Sequence, residues 1–166
     1  MEILSLGRLM KMKPDFIMTV GIPGCGKSRW VNEYCKNHDV EIVSTDGIRK
    51  ELTGTVNTMK ELGREEDVWN RAMNRVANYL TEGKNVILDA TNCRSRERIF
   101  FIKHLPDCNL KAKVIECDIK TAFGRISKDM QNRKERSNVP YDVVCLMHER
   151  FVNDRGNLTK EGFEVI

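Results

Sequence analysis

A glycine-rich segment at residues 21–28 is the feature that most constrains how this chain can fold. It reads Gly-Ile-Pro-Gly-Cys-Gly-Lys-Ser and directly follows the apolar run Phe-Ile-Met-Thr-Val of residues 16–20. Because glycine adopts backbone conformations that other residues avoid, successive amide N–H groups can turn toward one anion at the start of the next helix. This order of strand, loop and helix is typical of a P-loop, which holds nucleotide phosphates. We assign nucleotide binding to Gly21, Gly24, Cys25, Gly26, Lys27 and Ser28.

Two of these residues carry the phosphate chemistry. In a P-loop the lysine, here Lys27, reaches the β- and γ-phosphates, and the next hydroxyl, here Ser28, contacts magnesium. The predicted cofactors are ATP and Mg²⁺. Cys25 has two interpretations, either a small residue in a tight turn or a thiol that the helix N-terminus and Lys27 make sensitive to oxidation.

Four apolar, β-rich segments alternate with segments of helical periodicity. They cover residues 16–20, 40–44, 85–89 and 110–116. Such alternation is typical of parallel strands joined by crossover helices. The clearest helix is predicted over residues 64–80, where apolar residues recur at spacings of three and four, and we interpret Trp69 and Met73 there as core packing. Shorter helices are predicted from Lys27 and over residues 96–104, 121–130 and 141–151.

These elements predict an α/β P-loop NTPase or kinase fold, with a parallel sheet of four to five strands flanked by helices. The length of 166 residues suits one domain. We expect a flexible leader at residues 1–12, the P-loop kinase domain at 13–152 and a C-terminal tail at 153–166. The tail is expected either to pack as an edge strand near residues 163–166 or to make oligomer contacts.

Composition restricts the cellular location and the kind of partner that we expect for this protein. No apolar run approaches the roughly 18 residues that a membrane span needs, and residues 1–12 lack the pattern of an export signal. The six cysteines include no Cys-x-x-Cys pair, so we expect free thiols and a cytoplasmic protein. The net charge of +4 fits an anionic partner but equally fits solvated helix faces.

Polar residues follow each predicted strand, at the sheet edge where parallel α/β proteins bind ligands. Asp46 and Arg49 follow the second strand, and a spacing of three on a new helix places them on one face. Asp46 is alternatively the N-cap of that helix. Asp89 and Asn92 follow the third strand. Residues 131–140 are polar and cationic between two helices, which predicts a basic lid over phosphates.

Four motifs in this order resemble the phage and bacterial polynucleotide 5′-kinases. They are the P-loop with Trp30, then Ser-Thr-Asp-x-x-Arg at residues 44–49, Asp-Ala-Thr-Asn at 89–92, and a basic lid that leads into Val-Pro-x-x-Val at 139–143. The resemblance covers residues 16–151. It implies transfer of the γ-phosphate of ATP to the 5′-hydroxyl ends of DNA or RNA during end repair, in the cytoplasm of a bacterial or phage-infected cell. Residues 153–166 are too few for the phosphatase domain of bifunctional relatives, so a kinase alone is expected.

The resemblance also implies residue roles. Asp46 matches the general base, and Arg49 matches the arginine that holds the phosphate on the 3′ side of the terminal nucleoside. Arg133 and Arg136 match lid arginines that clamp the donor phosphates; their spacing of three leaves open which one acts, with Arg125 a third candidate. The acceptor-binding residues implied are Asn92, Val139, Pro140 and Val143.

Two further questions stay open at this point. Asp89 either orders the water shell of the magnesium or caps the following helix. The function has two rivals, namely a kinase for a small molecule such as a sugar acid, nucleoside or antibiotic, and a nucleotide-hydrolysing switch without an acceptor. A kinase acting on a modified DNA base is a variant of the first rival.

Overall fold

The computed structural model describes residues 12–56 and 64–166. Its centre is a parallel sheet of five strands in the order β2-β3-β1-β4-β5. The strands are β1 (Asp15–Val20), β2 (Glu41–Ser44), β3 (Val86–Asp89), β4 (Asn109–Val114) and β5 (Glu164–Val165). The predicted α/β P-loop fold is therefore confirmed, and its sheet has the larger of the two predicted strand numbers.

Helices connect the strands as the crossover pattern predicts. They are α1 (Lys27–Cys35), α2 (Thr45–Thr53), α3 (Glu65–Thr81), α4 (Ser95–Ile102), α5 (Ile119–Gln131) and α6 (Tyr141–Asp154), followed by a 3₁₀ turn at Arg155–Asn157. The predicted helix boundaries agree to within a few residues. Residues 57–63, between α2 and α3, lie outside the described part, as do residues 1–11 of the expected leader.

Strand β1 is central because it is apolar at residues 16–18 and 20 and can be covered on both sides. Phe16, Met18 and Val20 are fully buried. The one polar residue of its interior, Thr19, is satisfied by donating its Oγ1 hydrogen bond to Ala90 O at 2.9 Å. This bond connects the C-terminal end of β1 to the segment after β3. The ends of these two strands, which lie next to the P-loop, are therefore held together.

Helix α3 packs its apolar stripe onto the sheet, with Val68, Ala72, Val76 and Leu80 buried. Trp69 stands at the edge of this stripe, and its ring packs edge-on against Phe101 with 6.3 Å between centroids. Trp69 is thus partly core, as predicted, although its other side lines the cleft described below.

The C-terminal tail is integral to the domain. Leu158 and Phe163 are buried in the core, and β5 pairs with β4 through Ala112 and Val165. The edge-strand expectation for the tail is therefore confirmed. Among the helices of the described residues, none combines the length and the apolar character required to cross a membrane.

A buried ion pair joins this tail to the segment after β3. Arg98 on α4 donates from Nε to Glu161 at 2.7 Å, and the two side chains are 0% and 3% exposed. Arg98 also donates from Nη1 to Asn92 O and from Nη2 to Asp154 O, both at 2.8 Å. One guanidinium thus joins α4, the end of α6, the tail and the loop after β3.

We predict that Glu161→Ala destabilises the protein by about 3–5 kcal/mol, because it leaves the Arg98 guanidinium buried without its counter-ion. Urea denaturation followed by circular dichroism measures this effect. Glu149→Ala, which removes an exposed carboxylate from α6, is the matched control and should change the free energy of unfolding by less than about 0.5 kcal/mol. Equal effects of the two substitutions would contradict the prediction.

Candidate active site

The glycine-rich loop joins β1 to α1 and encloses the head of Lys27. Gly24 and Gly26 have φ angles of 79° and 106°, in the left-handed region that favours glycine. Lys27 Nζ donates to Gly21 O at 3.0 Å and to Ile22 O at 2.8 Å. No side chain caps the N-terminus of α1, so the N–H groups of its first turn face the loop as an anion site.

The loop also packs against the start of the lid region. A Cβ atom on Gly24 would lie 2.4 Å from Ala122 O on α5, too close for any side chain. Arg125, one helical turn further along α5, donates from Nη1 to Gly24 O and Cys25 O at 3.3 Å each. Arg125 is therefore placed at the P-loop and is more than an arginine on a helix surface.

The cysteines of the described residues are free thiols, as predicted. Cys25 is buried, with its Sγ 3.7 Å from Lys27 Nζ. The Cys25 thiol therefore packs inside the loop, as the interpretation of a small residue in a tight turn requires, while its sensitivity to oxidation stays a prediction. Burial raises the pKa of Cys93 to about 11, so that thiol stays protonated at neutral pH.

Ser28 and Asp89 come together across the top of β1 and β3. Ser28 Oγ donates to Asp89 Oδ2 at 2.9 Å. Burial raises the pKa of Asp89, while the hydrogen bond from Ser28 and the charge of Lys27 act against the rise. The alternative that Asp89 caps the following helix is wrong, because the N-cap position of α4 is Arg94. A hydroxyl and a carboxylate are oxygen donors of the kind that Mg²⁺ prefers, so this pair fits a magnesium ion.

Asp46 and Arg49 lie on one face of α2, as the spacing predicts. Ser44 caps this helix by accepting from Gly47 N at 3.2 Å, so the N-cap alternative for Asp46 is wrong. Arg49 Nη1 donates to Asp46 Oδ1 at 2.7 Å, and Arg49 Nε donates to Glu65 Oε2 at 3.2 Å. Burial acts against the charge of Arg49, but the hydrogen bonds and charges of Glu65 and Asp46 raise its pKa. The guanidinium is held rigidly between two carboxylates.

One open cleft of about 1760 Å³ contains both halves of the site. Its lining includes the P-loop from Pro23 to Ser28 and also Asp46 with Arg49. The carboxylate of Asp46 is half-exposed. A carboxylate therefore shares one open cleft with the phosphate-binding loop.

The lid residues contact the Asp46 side of the cleft. Ser137 Oγ lies 3.3 Å from Asp46 Oδ1 and donates to Val56 O at 2.7 Å. Lys50 on α2 pairs with Glu135 at 2.7 Å. The basic segment between α5 and α6 thus contacts α2 beside the carboxylate, which stays half-exposed.

The structure separates the two predicted lid arginines. Arg136 lines the cleft and pairs with Asp129 at 2.7 Å, while its buried Nε has no hydrogen-bond partner among the described residues. Arg133 is exposed and lies outside the lining of the cleft. Of the two, Arg136 therefore shares the cleft with the P-loop, and Arg133 is not brought into the site.

Three of the four predicted acceptor-binding residues line the cleft and one does not. Val139, Pro140 and Val143 line the cleft. Asn92 does not, because it is buried, with Nδ2 donating to Thr19 O at 2.8 Å. Its φ of 46° fits the tight turn in which it lies. The Asn92 amide fastens the loop after β3 to β1, which corrects the expectation that it touches the acceptor.

Several residues of the cleft wall are not predicted from the sequence, among them Glu65, Trp69 and Arg150. Glu65 holds Arg49, Trp69 borders the cleft, and Arg150 on α6 lines it. Arg150 lies seven residues after Val143, so its place on the same helix face follows from helical spacing. No comparable signal in the sequence joins Glu65 to Arg49.

Fold and site together define a kinase-like P-loop domain, the kind of domain that phosphotransferases use. Residues 16–153 match the protein family described as AAA domain. The chain belongs to this family. Among curated proteins there is no significant match.

Solved structures share the fold at low sequence identity. A chain of the Pnkp1/Rnl/Hen1 RNA repair complex superposes with a TM-score of 0.76 and 20% identity, over 88% of this chain and 46% of that one. This chain thus spans less than half of that chain's length. Deoxyadenosine kinase from M. mycoides with bound dATP gives 0.57 and 15%, over 91% and 89% of the two chains. A gluconokinase from Sinorhizobium meliloti 1021 gives 0.54 and 16%, over 93% and 83%.

We predict that Gly24→Ala weakens ATP binding at least about tenfold, because the new methyl group would collide with Ala122 O and the φ of Gly24 disfavours alanine. Titration with a fluorescent ATP analogue measures the affinity. The matched control is Gly124→Ala on α5, where an added Cβ meets no atom within 4 Å. That change should leave the affinity unaltered and stabilise the helix by about 0.4–1 kcal/mol. Unchanged ATP affinity in Gly24→Ala would refute the steric argument.

Proposed function

We propose that this protein is a polynucleotide 5′-hydroxyl kinase that transfers the γ-phosphate of ATP to 5′-hydroxyl ends of DNA or RNA. The observation that carries the proposal is the shared cleft, which is lined by the P-loop and by the hydrogen-bonded pair of Asp46 and Arg49. The ordered motifs of the sequence add support, as does the likeness of fold to a chain of an RNA repair complex.

In this proposal Asp46 is the general base. It takes the proton of the 5′-hydroxyl while the sugar oxygen forms a bond to the γ-phosphorus and the bond from that phosphorus to the bridging oxygen breaks, releasing ADP. The carboxylate suits this role because it is half-exposed in the cleft that also contains the P-loop. The Arg49 and Ser137 contacts to Oδ1 orient the group.

The donor half of the cleft binds the triphosphate and neutralises its charge. Lys27 and the N–H groups of α1 surround the phosphates, and Arg136 and Arg125 approach them from the lid side. Ser28 and Asp89 would hold Mg²⁺, which when bound neutralises phosphate charge. Phosphoryl transfer depends mainly on such positioning and charge neutralisation.

Arg49 indicates which class of acceptor the site binds. A planar guanidinium matches two phosphate oxygens, and Arg49 lies next to the carboxylate that receives the hydroxyl proton. An acceptor that bears a phosphate close to its hydroxyl fits this pair, and the end of a nucleic acid strand has that arrangement. Val139, Pro140 and Val143 offer an apolar wall for the terminal nucleoside.

The direct test offers labelled ATP and magnesium with three classes of acceptor. These are 5′-hydroxyl DNA and RNA oligonucleotides, nucleosides, and sugar acids. Label on an oligonucleotide is the expected result. Label on nucleosides or sugar acids alone would make the protein a small-molecule kinase, and release of phosphate without any labelled acceptor would make it a nucleotide hydrolase.

We predict that Asp46→Asn lowers kcat by about 10²- to 10⁴-fold, the usual contribution of a general base. The amide keeps the shape of the side chain but cannot take the proton. Steady-state rates on a 5′-hydroxyl oligonucleotide measure the loss. The control is Asp107→Asn, an exposed carboxylate paired with Lys13 far from the cleft, which should leave kcat unchanged. Full activity of Asp46→Asn removes Asp46 from the mechanism.

We predict that Arg49→Ala raises the KM for the oligonucleotide by about 10- to 100-fold and leaves the KM for ATP within twofold. The range corresponds to the loss of a hydrogen bond to a charged group. Arg49→Lys should recover only part of the affinity, because an ammonium lacks the planar pair of donors. If the KM for ATP rises and that for the acceptor does not, Arg49 belongs to the donor half.

A further inference from the structure

Helix α6 presents one face to the cleft. Val143, Met147 and Arg150, at spacings of four and three, all line it. Val143 belongs to the apolar wall near the lid, whereas Arg150 lies about 10 Å further along the helix axis. The wall that α6 contributes to the cleft is therefore apolar near the lid and cationic at Arg150.

Among the described residues Arg150 has no counter-ion, in contrast to Arg49 and Arg136, which line the same cleft. Arg49 pairs with Asp46 and Glu65, and Arg136 pairs with Asp129. Within residues 12–56 and 64–166, Arg150 forms no ion pair, and its Nε is buried without a hydrogen-bond partner. The side chain as a whole is half-buried.

A buried guanidinium nitrogen without an acceptor is costly, and such groups in native proteins are nearly always paired. Arg150 as a whole is half-exposed and lines the cleft, so a molecule bound in the cleft can supply acceptors to its guanidinium. The fork of donors on a guanidinium matches two oxygens of a phosphate better than a single hydroxyl or carbonyl. An anion with paired oxygens is therefore the ligand that fits Arg150 best.

We propose that Arg150 binds a backbone phosphate of the acceptor strand, beyond the phosphate that Arg49 holds. This inference rests on the proposed function and identifies its substrate as a chain with at least two phosphates. Arg49 extends from α2 and Arg150 from α6, so the two guanidinium groups belong to different walls of the same cleft. A strand that enters along the apolar face of α6 meets Arg150 as well as Arg49.

The test compares the KM of two acceptors in Arg150→Ala. We expect the KM for a 5′-hydroxyl oligonucleotide to rise about 10- to 100-fold. The KM for a nucleoside 3′-phosphate, which has one phosphate, and the KM for ATP should both stay within twofold. Arg150→Lys should lie between wild type and Arg150→Ala. The matched control is Arg71→Ala, an exposed arginine on α3 outside the cleft lining, which should change none of these values.

A binding measurement separates this inference from the proposed function. The affinity of wild type for a fluorescent single-stranded oligonucleotide should fall with salt, and Arg150→Ala should reduce the slope of log K against log salt by about 0.7, the value for one phosphate contact. Absence of transfer to any oligonucleotide by wild type overturns the proposed function, while the slope still reports on Arg150. An unchanged slope, a raised KM for ATP or an equal loss with the nucleoside 3′-phosphate overturns the inference. Melting curves of both Arg150 variants confirm that they are folded.

Discussion

The close approach of the Gly24 backbone to the carbonyl of Ala122 is the contact on which the site depends. It presses the phosphate-binding loop against α5, and α5 leads directly into the basic lid. The same helix supplies Arg125, which bonds to the loop carbonyls. The position of the nucleotide loop and the position of the lid are consequently set by one contact, with no room for a side chain between them.

In the part of the site around Asp46 and Arg49, ion pairs and hydrogen bonds hold the side chains in place. Arg49 is almost enclosed, and the hydrogen bonds and charges of Glu65 and Asp46 offset the burial of its guanidinium and raise its pKa. Asp46 in turn is oriented by Arg49 and Ser137. One carboxylate oxygen of Asp46 is thus hydrogen-bonded to its neighbours, while the group as a whole is half-exposed to the cleft, so the carboxylate is oriented and still accessible.

The fold follows from the sequence to a large extent because its signals are local. The P-loop glycines, the apolar strands and the stripe of α3 each depend on residues close together in the chain, and the corresponding elements form where they are predicted. The approach of Asp46 to the P-loop also follows, since parallel strands bring their carboxyl ends to one edge.

The predictions from sequence that are wrong or missing concern side chains whose contacts are with residues distant in the chain. The Asn92 amide turns inward to Thr19, 73 positions away, and no local pattern marks that bond. Arg133 and Arg136 are both arginines of the same basic segment, so the sequence does not distinguish them. The path of the chain after α5 places Arg136 in the lining of the cleft and Arg133 outside it. The role of Glu65 in holding Arg49 depends on the packing of α3 beside α2.

The buried pair between Arg98 and Glu161 has a consequence for how the cleft responds to changes elsewhere in the fold. The segment that carries Asp89 and Asn92 is anchored through Arg98, and the counter-ion of Arg98 lies 63 positions further along the chain, after α6. A rearrangement that moved Glu161 would therefore be transmitted through one guanidinium to the edge of the cleft beside Asp89. This edge is mechanically coupled to a segment that does not itself line the cleft.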